Sequence, residues 1–244
     1  MKMNLDEHLQ EHIVAFIDIL GSTEAIKKDE EKSLKVMHDS YTDAIKLFDY
    51  LFEDKQVKPK VKIFSDNIVV AVPRLRESGH GAFCAVVMLS AIIQVQFLKN
   101  GLLTRGGIAT GSFFCDDLMV WGKGLVTAYS LESTVAIYPR IIIDPELIGE
   151  LGLTRPDCLF KKTQKWIEQD EDSLFVVDYL NEFLQNKDFF GLALLDIVEK
   201  KLGEFSGNIK ICQKWLWLSY YISNKLFSVN EADVNGGKIN GLSE

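Results

Sequence analysis

An α+β fold, a sheet with helices on one face followed by a helical C-terminal extension, is predicted from three features of the chain. Short β-prone apolar runs alternate with helix-period segments in the order β-α-β-β-α-β-α-β up to residue 145. One pair of strands is joined by a tight turn at Ser65-Asp66-Asn67. Beyond residue 146 the alternation stops, and an aromatic amphipathic stretch over 208–228 dominates.

The first strand is read over 12–20, rich in β-branched and aromatic residues. Gly21-Ser22-Thr23 then offers a turn, with Ser22 or Thr23 as helix cap and Glu24 in the first turn. Leu34, Met37, Tyr41, Ile45, Phe48 and Phe52 recur at helical spacing, so one helix is expected to run to about residue 53. DKQVKPK, 54–60, is a polar connector, and VKIFSDNIVVAVP, 61–73, reads as the hairpin. A largely buried helix follows over 79–98. LTRGGIATGSFF is a strand with paired glycines, 121–137 is a second buried helix, and RIIIDP, 140–145, is a short buried strand stopped by proline. The expected organisation is a core over 10–145, an extension over 146–230 packed on it, and a disordered tail over 231–244.

The 244 residues, 47% hydrophobic and 25% charged, suit a globular protein with a sizeable core. The formal charge of −8, with no basic cluster, argues against sequence-independent nucleic-acid binding. A polyanion can still be held locally by a metal or a helix N-terminus. Cys84, Cys115, Cys158 and Cys212 are widely spaced, without a CxxC pair, so free thiols in a reducing cytoplasm are expected rather than a zinc site. The polar start MKMNLDEHLQEH carries no secretory signal. Apolar stretches are interrupted by Lys, Gln or Gly within about 20 residues, so no membrane span is expected.

Asp18 closes an apolar strand and is followed directly by Gly-Ser-Thr, and Asp66 sits in the hairpin turn. In a β-α-β-β arrangement these strands are neighbours, and their tips bring the two carboxylates together. Such a pair repels unless a cation lies between them or one is protonated. Two Mg²⁺ or Mn²⁺ ions bridged by the aspartates and by substrate phosphates resolve the repulsion. The plainer reading keeps Asp18 as a cap and Asp66 as a turn former.

Four stretches carry a resemblance. FIDILGST resembles the first metal motif of the class III nucleotidyl cyclases, F-x-D-x-x-G-[FS]-[ST]. KIFSDNIVVAVP resembles their K-x-x-G-D hairpin, with Ser65 in place of glycine. LTRGGIATG resembles their R-x-G-I-x-x-G strand, and VWGKGLVTAYSLES their V-W-G-D-x-V-N-x-A-x-R-L-x-S segment. Together they cover residues 13–133 in the family's order. The resemblance implies the ferredoxin-like, palm-type cyclase sheet. Against it, the ribose-orienting Asn falls on Val126, the transition-state Arg on Ser130 and the adenine-reading acid on Met119, whereas Lys62 is retained. The chain resembles more closely the single-domain cyclases of the Pycsar antiphage systems, with their F-S-D-[NS]-I-V, R-G-G-I-x-x-G and A-Y-x-L-E blocks and a C-terminal part of similar length.

That resemblance implies a uridylate cyclase making cUMP and pyrophosphate from UTP, or a cytidylate cyclase making cCMP from CTP. It further implies a homodimer with sites at the interface and a cyclic-nucleotide-binding effector downstream. Asp18 and Asp66, with the backbone carbonyl of Ile19, would ligate the metals. Gly21, Ser22 and Thr23 would cradle the β- and γ-phosphates, or serve as a plain cap. Arg105 is the candidate for catalysis and for base or phosphate contact, Lys62 for a uracil carbonyl or phosphate. Phe16 and Tyr129 border the pyrimidine or fill core. Arg105, Lys123 and Arg140 are the cations available to replace the arginine missing at Ser130. Cys84, Met88 and Trp121 are expected to pack. The competing reading is a catalytically degenerate nucleotide-binding module. A diguanylate cyclase is set aside because no GG[DE]EF run exists.

Overall fold

The computed structural model describes residues 9–54, 56–75, 79–152, 163, 165–184 and 188–236. The chain divides into two compact units, Met1–Tyr179 and Leu180–Glu244. The first is built on a mixed eight-stranded sheet in the order β2-β3-β1-β4-β6-β8-β7, with β5 on the end of β4. The strands are β1 (Gln10–Leu20), β2 (Lys60–Phe64), β3 (Asn67–Pro73), β4 (Leu103–Cys115), β5 (Val120–Trp121), β6 (Ile141–Ile143), β7 (Ile167–Gln169) and β8 (Phe175–Val177). All neighbours are antiparallel except β4 and β6. The α+β class is the one that the sequence predicts.

Strand β1 is central because it can be buried on both faces. Ile13, Ala15, Ile17 and Ile19 point one way and are at most 1% exposed. Val14 and Phe16 point the other way into a cluster with Val69, Ala71, Ala109, Phe113 and Ala128. Helix α3 (Gly79–Lys99) contacts β1, β3 and β4. It is long and apolar enough to cross a membrane, yet 89% of its apolar window is buried in this fold. That burial is the ordinary condition of a core helix that is hydrophobic all round.

Between β1 and β2 the chain forms two helices rather than one. Helix α1 (Ser22–Lys28) stops at Asp29, whose extended backbone (φ −162°) breaks the ladder. Asp29 then caps α2 (Glu30–Leu51), its carboxylate accepting from the Lys32 N–H at 3.0 Å, with Glu30 and Glu31 in the favourable first turn. The apolar period, Leu34 to Phe52, begins only after this break and so does not mark it.

Helix α4 (Lys123–Thr134) is not the buried helix expected over 121–137. It buries only Gly124, Ala128 and Glu132, one line at i, i+4 and i+8. This line lies on the Val14–Phe16 face, so the second face of the sheet is not bare. Trp121, expected to pack, is 65% exposed. Asp144 caps α5 (Pro145–Leu151), accepting from the Glu146 N–H, with Pro145 in its first turn.

The sheet does not stop at residue 146. IEQ and FVV form the β7–β8 hairpin, which continues the sheet beyond β6. Arg140, 7% exposed, fixes it by bonding Asp170 and Asp172 in the connecting turn. The second unit is helical: α6 (Asn181–Leu184), α7 (Asp188–Glu204) and α8 (Ile209–Gly236). Helices α7 and α8 approach closely at Gly191, where a side chain would meet Leu226 at 2.5 Å. The tail read as disordered is helical as far as Gly236, and 237–244 lie outside the described residues. So does Cys158.

Candidate functional site

At one end of the sheet, β1, the β2–β3 turn and β4 converge. Asp18 lies across from Asn67 on one side and from Arg105 on the other. The turn is stapled to the strand tip by the Ile19 N–H, which donates to the Asp66 carbonyl at 2.9 Å. Asp18 and Asp66 are thus brought to the same sheet end, on neighbouring strands.

The β2–β3 connection is a two-residue turn, Ser65-Asp66. Ser65 has φ +57°, the left-handed region that favours glycine. A serine held there costs about 1–2 kcal/mol relative to its relaxed backbone.

Asp66 is held from two sides. Its Oδ2 accepts from Ser22 Oγ at 2.5 Å and its Oδ1 from Asn67 Nδ2 at 3.1 Å. Ser22 is buried, and its hydroxyl is turned to Asp66 rather than to the helix end. The cap of α1 is Gly21, at φ +81° and without a side-chain bond, and not Ser22 or Thr23 as expected. Nothing lies within 4 Å of a side chain built on Gly21, so glycine is favoured there by its φ alone. Thr23 is exposed.

Asp18 faces Arg105. The Arg105 Nε donates to Asp18 Oδ2 at 3.2 Å, Nη2 lies 2.7 Å from Glu132 Oε1, and Nη1 donates to the Ala136 carbonyl at 3.3 Å. Glu132, on α4, is 3% exposed. This residue is the one that sequence reasoning missed. Its signal was its place on the buried i, i+4, i+8 line after Gly124 and Ala128.

The paired glycines after Arg105 do not open the strand to a ligand. A side chain on Gly106 would meet the Phe16 carbonyl at 2.5 Å, and one on Gly107 the Ala128 carbonyl at 2.3 Å. The space belongs to the chain's own backbone, and α4 sits down on the strand there.

Lys62, Val69, Phe16 and Gly107 form one row across the same face as Asp18. Phe16 is 7% exposed, its ring edge-on to Tyr129 at 5.3 Å and 6.4 Å from Phe64. Tyr129 is 51% exposed and does not fill core. Lys62 lies 3.7 Å from the exposed Asp117 and also acts electrostatically on Asp116. Of the three cations considered as substitutes for the arginine missing at Ser130, Arg140 is committed to Asp170 and Asp172. Lys123 is exposed, and Arg105 stands at Asp18.

The donor set suits a hard divalent cation. Carboxylate and carbonyl oxygens are the ligands of Mg²⁺ and Mn²⁺. Among the described residues no group of three or more His, Cys, Asp or Glu gathers. Two protein carboxylates, with the rest of the sphere left to water and substrate phosphates, is the pattern that Mg²⁺ favours.

No family model matches the chain, and no curated protein matches it. Solved structures show partial likeness. An adenylyl cyclase from P. aeruginosa is 17% identical, with 59% of this chain and 81% of that one covered and a TM-score of 0.39. The guanylyl cyclase domain of a fusion protein from the aquatic fungus Blastocladiella emersonii is 16% identical, with 69% and 96% covered and a TM-score of 0.43. A bacterial light-regulated adenylyl cyclase is 13% identical, with 79% and 98% covered and a TM-score of 0.42.

Proposed function

We propose that this chain is a nucleotidyl cyclase acting on a pyrimidine nucleoside triphosphate, UTP first and CTP as the alternative, to give the 3′,5′-cyclic monophosphate and pyrophosphate. The observation that carries the reading is the convergence of Asp18 and Asp66 at one sheet end, each held by a dedicated partner.

Asp18, Asp66 and the Ile19 carbonyl would hold two Mg²⁺ or Mn²⁺ ions, which supply activation of the ribose 3′-oxygen and neutralisation of α-phosphate charge. Ser22 positions Asp66 by donating to it. Gly21 and Thr23, exposed beside the pair, border the β- and γ-phosphates. The half-exposed Tyr129, backed by the buried Phe16, offers an aromatic edge to the base, and Lys62 lies in the same row. A tyrosine on this helix narrows the space for a base, which favours the smaller pyrimidine ring. The second-messenger role in antiphage defence, through an effector that binds the cyclic nucleotide, and the cytoplasmic location follow the Pycsar resemblance.

The reading includes a homodimer. Leu118, Trp121, Val126 and Tyr129 are 88%, 65%, 63% and 51% exposed, and they flank the β4–β5 turn and the outer side of α4. Burying apolar side chains of this size against a second copy is favourable by about 1.5–3 kcal/mol each before association costs. Light scattering should show a dimer at micromolar concentration. An active, strictly monomeric protein would remove the shared site from the account.

Asp18→Asn and Asp66→Asn should each abolish cyclic product while keeping stability within about 1 kcal/mol of the parent, since the amide preserves shape. Product formed by both variants at the parental rate would overturn the metal assignment.

A further inference from the structure

We propose that Arg105 is the resident counter-cation of Asp18, held in place by Glu132, and that it competes with a divalent ion for the Asp18 carboxylate. The inference rests on the metal reading above and deepens it. The observations are geometric. Arg105 stands directly across the β1–β4 ladder from Asp18. Every nitrogen of its guanidinium is engaged, with Asp18, with Glu132 and with the Ala136 carbonyl. The Asp18 and Arg105 side chains are 20% and 25% exposed, so their attraction is only partly screened, and the Glu132 side chain is 4% exposed.

Glu132 decides where the arginine stays. A buried carboxylate that loses a guanidinium 2.7 Å away is destabilised, so Arg105 stays with Glu132. It can leave Asp18, because that carboxylate has another cation to take. The guanidinium therefore has two states, ion-paired with both carboxylates or with Glu132 alone, and a divalent ion at Asp18 selects the second by repulsion. In this arrangement Arg105 and Glu132 are positioning residues. They make the nucleotide-free protein a weak metal binder, so that the ion is taken up together with the triphosphate, whose own charge offsets the guanidinium.

The test is Mn²⁺ binding to the nucleotide-free full chain, read from the electron paramagnetic resonance signal of free Mn²⁺. The informative variant is the double substitution Arg105→Gln with Glu132→Gln. It removes one positive and one negative charge, so general attraction is unchanged and only the hold on Asp18 is lost. It should bind Mn²⁺ about tenfold more tightly than the parent, whereas Glu132→Gln alone, which leaves Arg105 to Asp18, should bind more weakly. Arg105→Gln alone should also bind more tightly, and the double variant serves if the single one fails to fold around a buried Glu132 that has lost its guanidinium. Adding Asp18→Asn to the double variant should erase the gain. A double variant that binds no more tightly than the parent, in a protein whose binding Asp18→Asn weakens, overturns the role of Arg105 and leaves the metal reading standing. Binding that is indifferent to Asp18→Asn overturns both.

Discussion

His12 sits on the face of β1 opposite to Ile13, 3% exposed, with its ring 5.3 Å from that of Phe113. Its Nδ1 donates to the Gln10 carbonyl at 2.8 Å, and its Nε2 is buried without a hydrogen-bond partner among the described residues. Burial holds its pKa below the ordinary value of 6.5, with Lys60 acting in the same direction and the Gln10 bond against it. A group whose folded pKa is depressed binds more protons unfolded than folded, so it stabilises the fold at high pH. That contribution is complete above about pH 6.5 and is lost as the pH falls through the lower folded value. Thermal melting should therefore drop on acidification below about pH 6.5, and His12→Gln should flatten that part of the profile. At this scale the sequence shows residue types well and partners poorly. Asp18 and Asp66 stand out because a charge ending an apolar strand is unusual. Arg105 is singled out in the sequence for a substrate contact, but its pairing with Asp18, and the part of Glu132, emerge only when the β1–β4 register and the seat of α4 bring them together.

Helix α4 reaches the sheet through missing side chains. Gly107 and Gly111 on β4 lie under Ala128 and Gly124, where a side chain would meet the Ala128 carbonyl at 2.3 Å and the Gly124 nitrogen at 2.7 Å. Gly107→Ala should lift the helix and cost about 1–3 kcal/mol, measured by urea unfolding. Because Glu132 rides on the same helix, the variant should lose activity in greater proportion than its folded fraction. Unchanged stability would mean that α4 is not clamped there. The paired glycines are plain in the sequence, but the choice between ligand and own backbone is not, since glycine permits either approach. The break between α1 and α2 is likewise hidden, because the apolar period begins only at Leu34, and so is the β7–β8 hairpin. Its three-residue strands are too short for periodicity to mark, and it is fixed by the distant Arg140.

At the scale of the whole molecule, the order of strands and helices through β6 follows from alternating periodicity, and with it the meeting of β1, the β2–β3 turn and β4. The second unit is legible as helices but not in its role, because an amphipathic pattern reports that a face is covered and not by what. The central proposal is chemical: carboxylates gathered at one sheet end, with the aromatic edge of Tyr129 on the neighbouring helix, serve to cyclise a pyrimidine nucleotide. The most direct measurement incubates the purified chain with Mn²⁺ and each of ATP, GTP, CTP and UTP in turn, and identifies the products by mass spectrometry. The account predicts a single cyclic pyrimidine monophosphate, cUMP from UTP. A cyclic purine product, or bound nucleotide with no cyclic product from any of them, would contradict it.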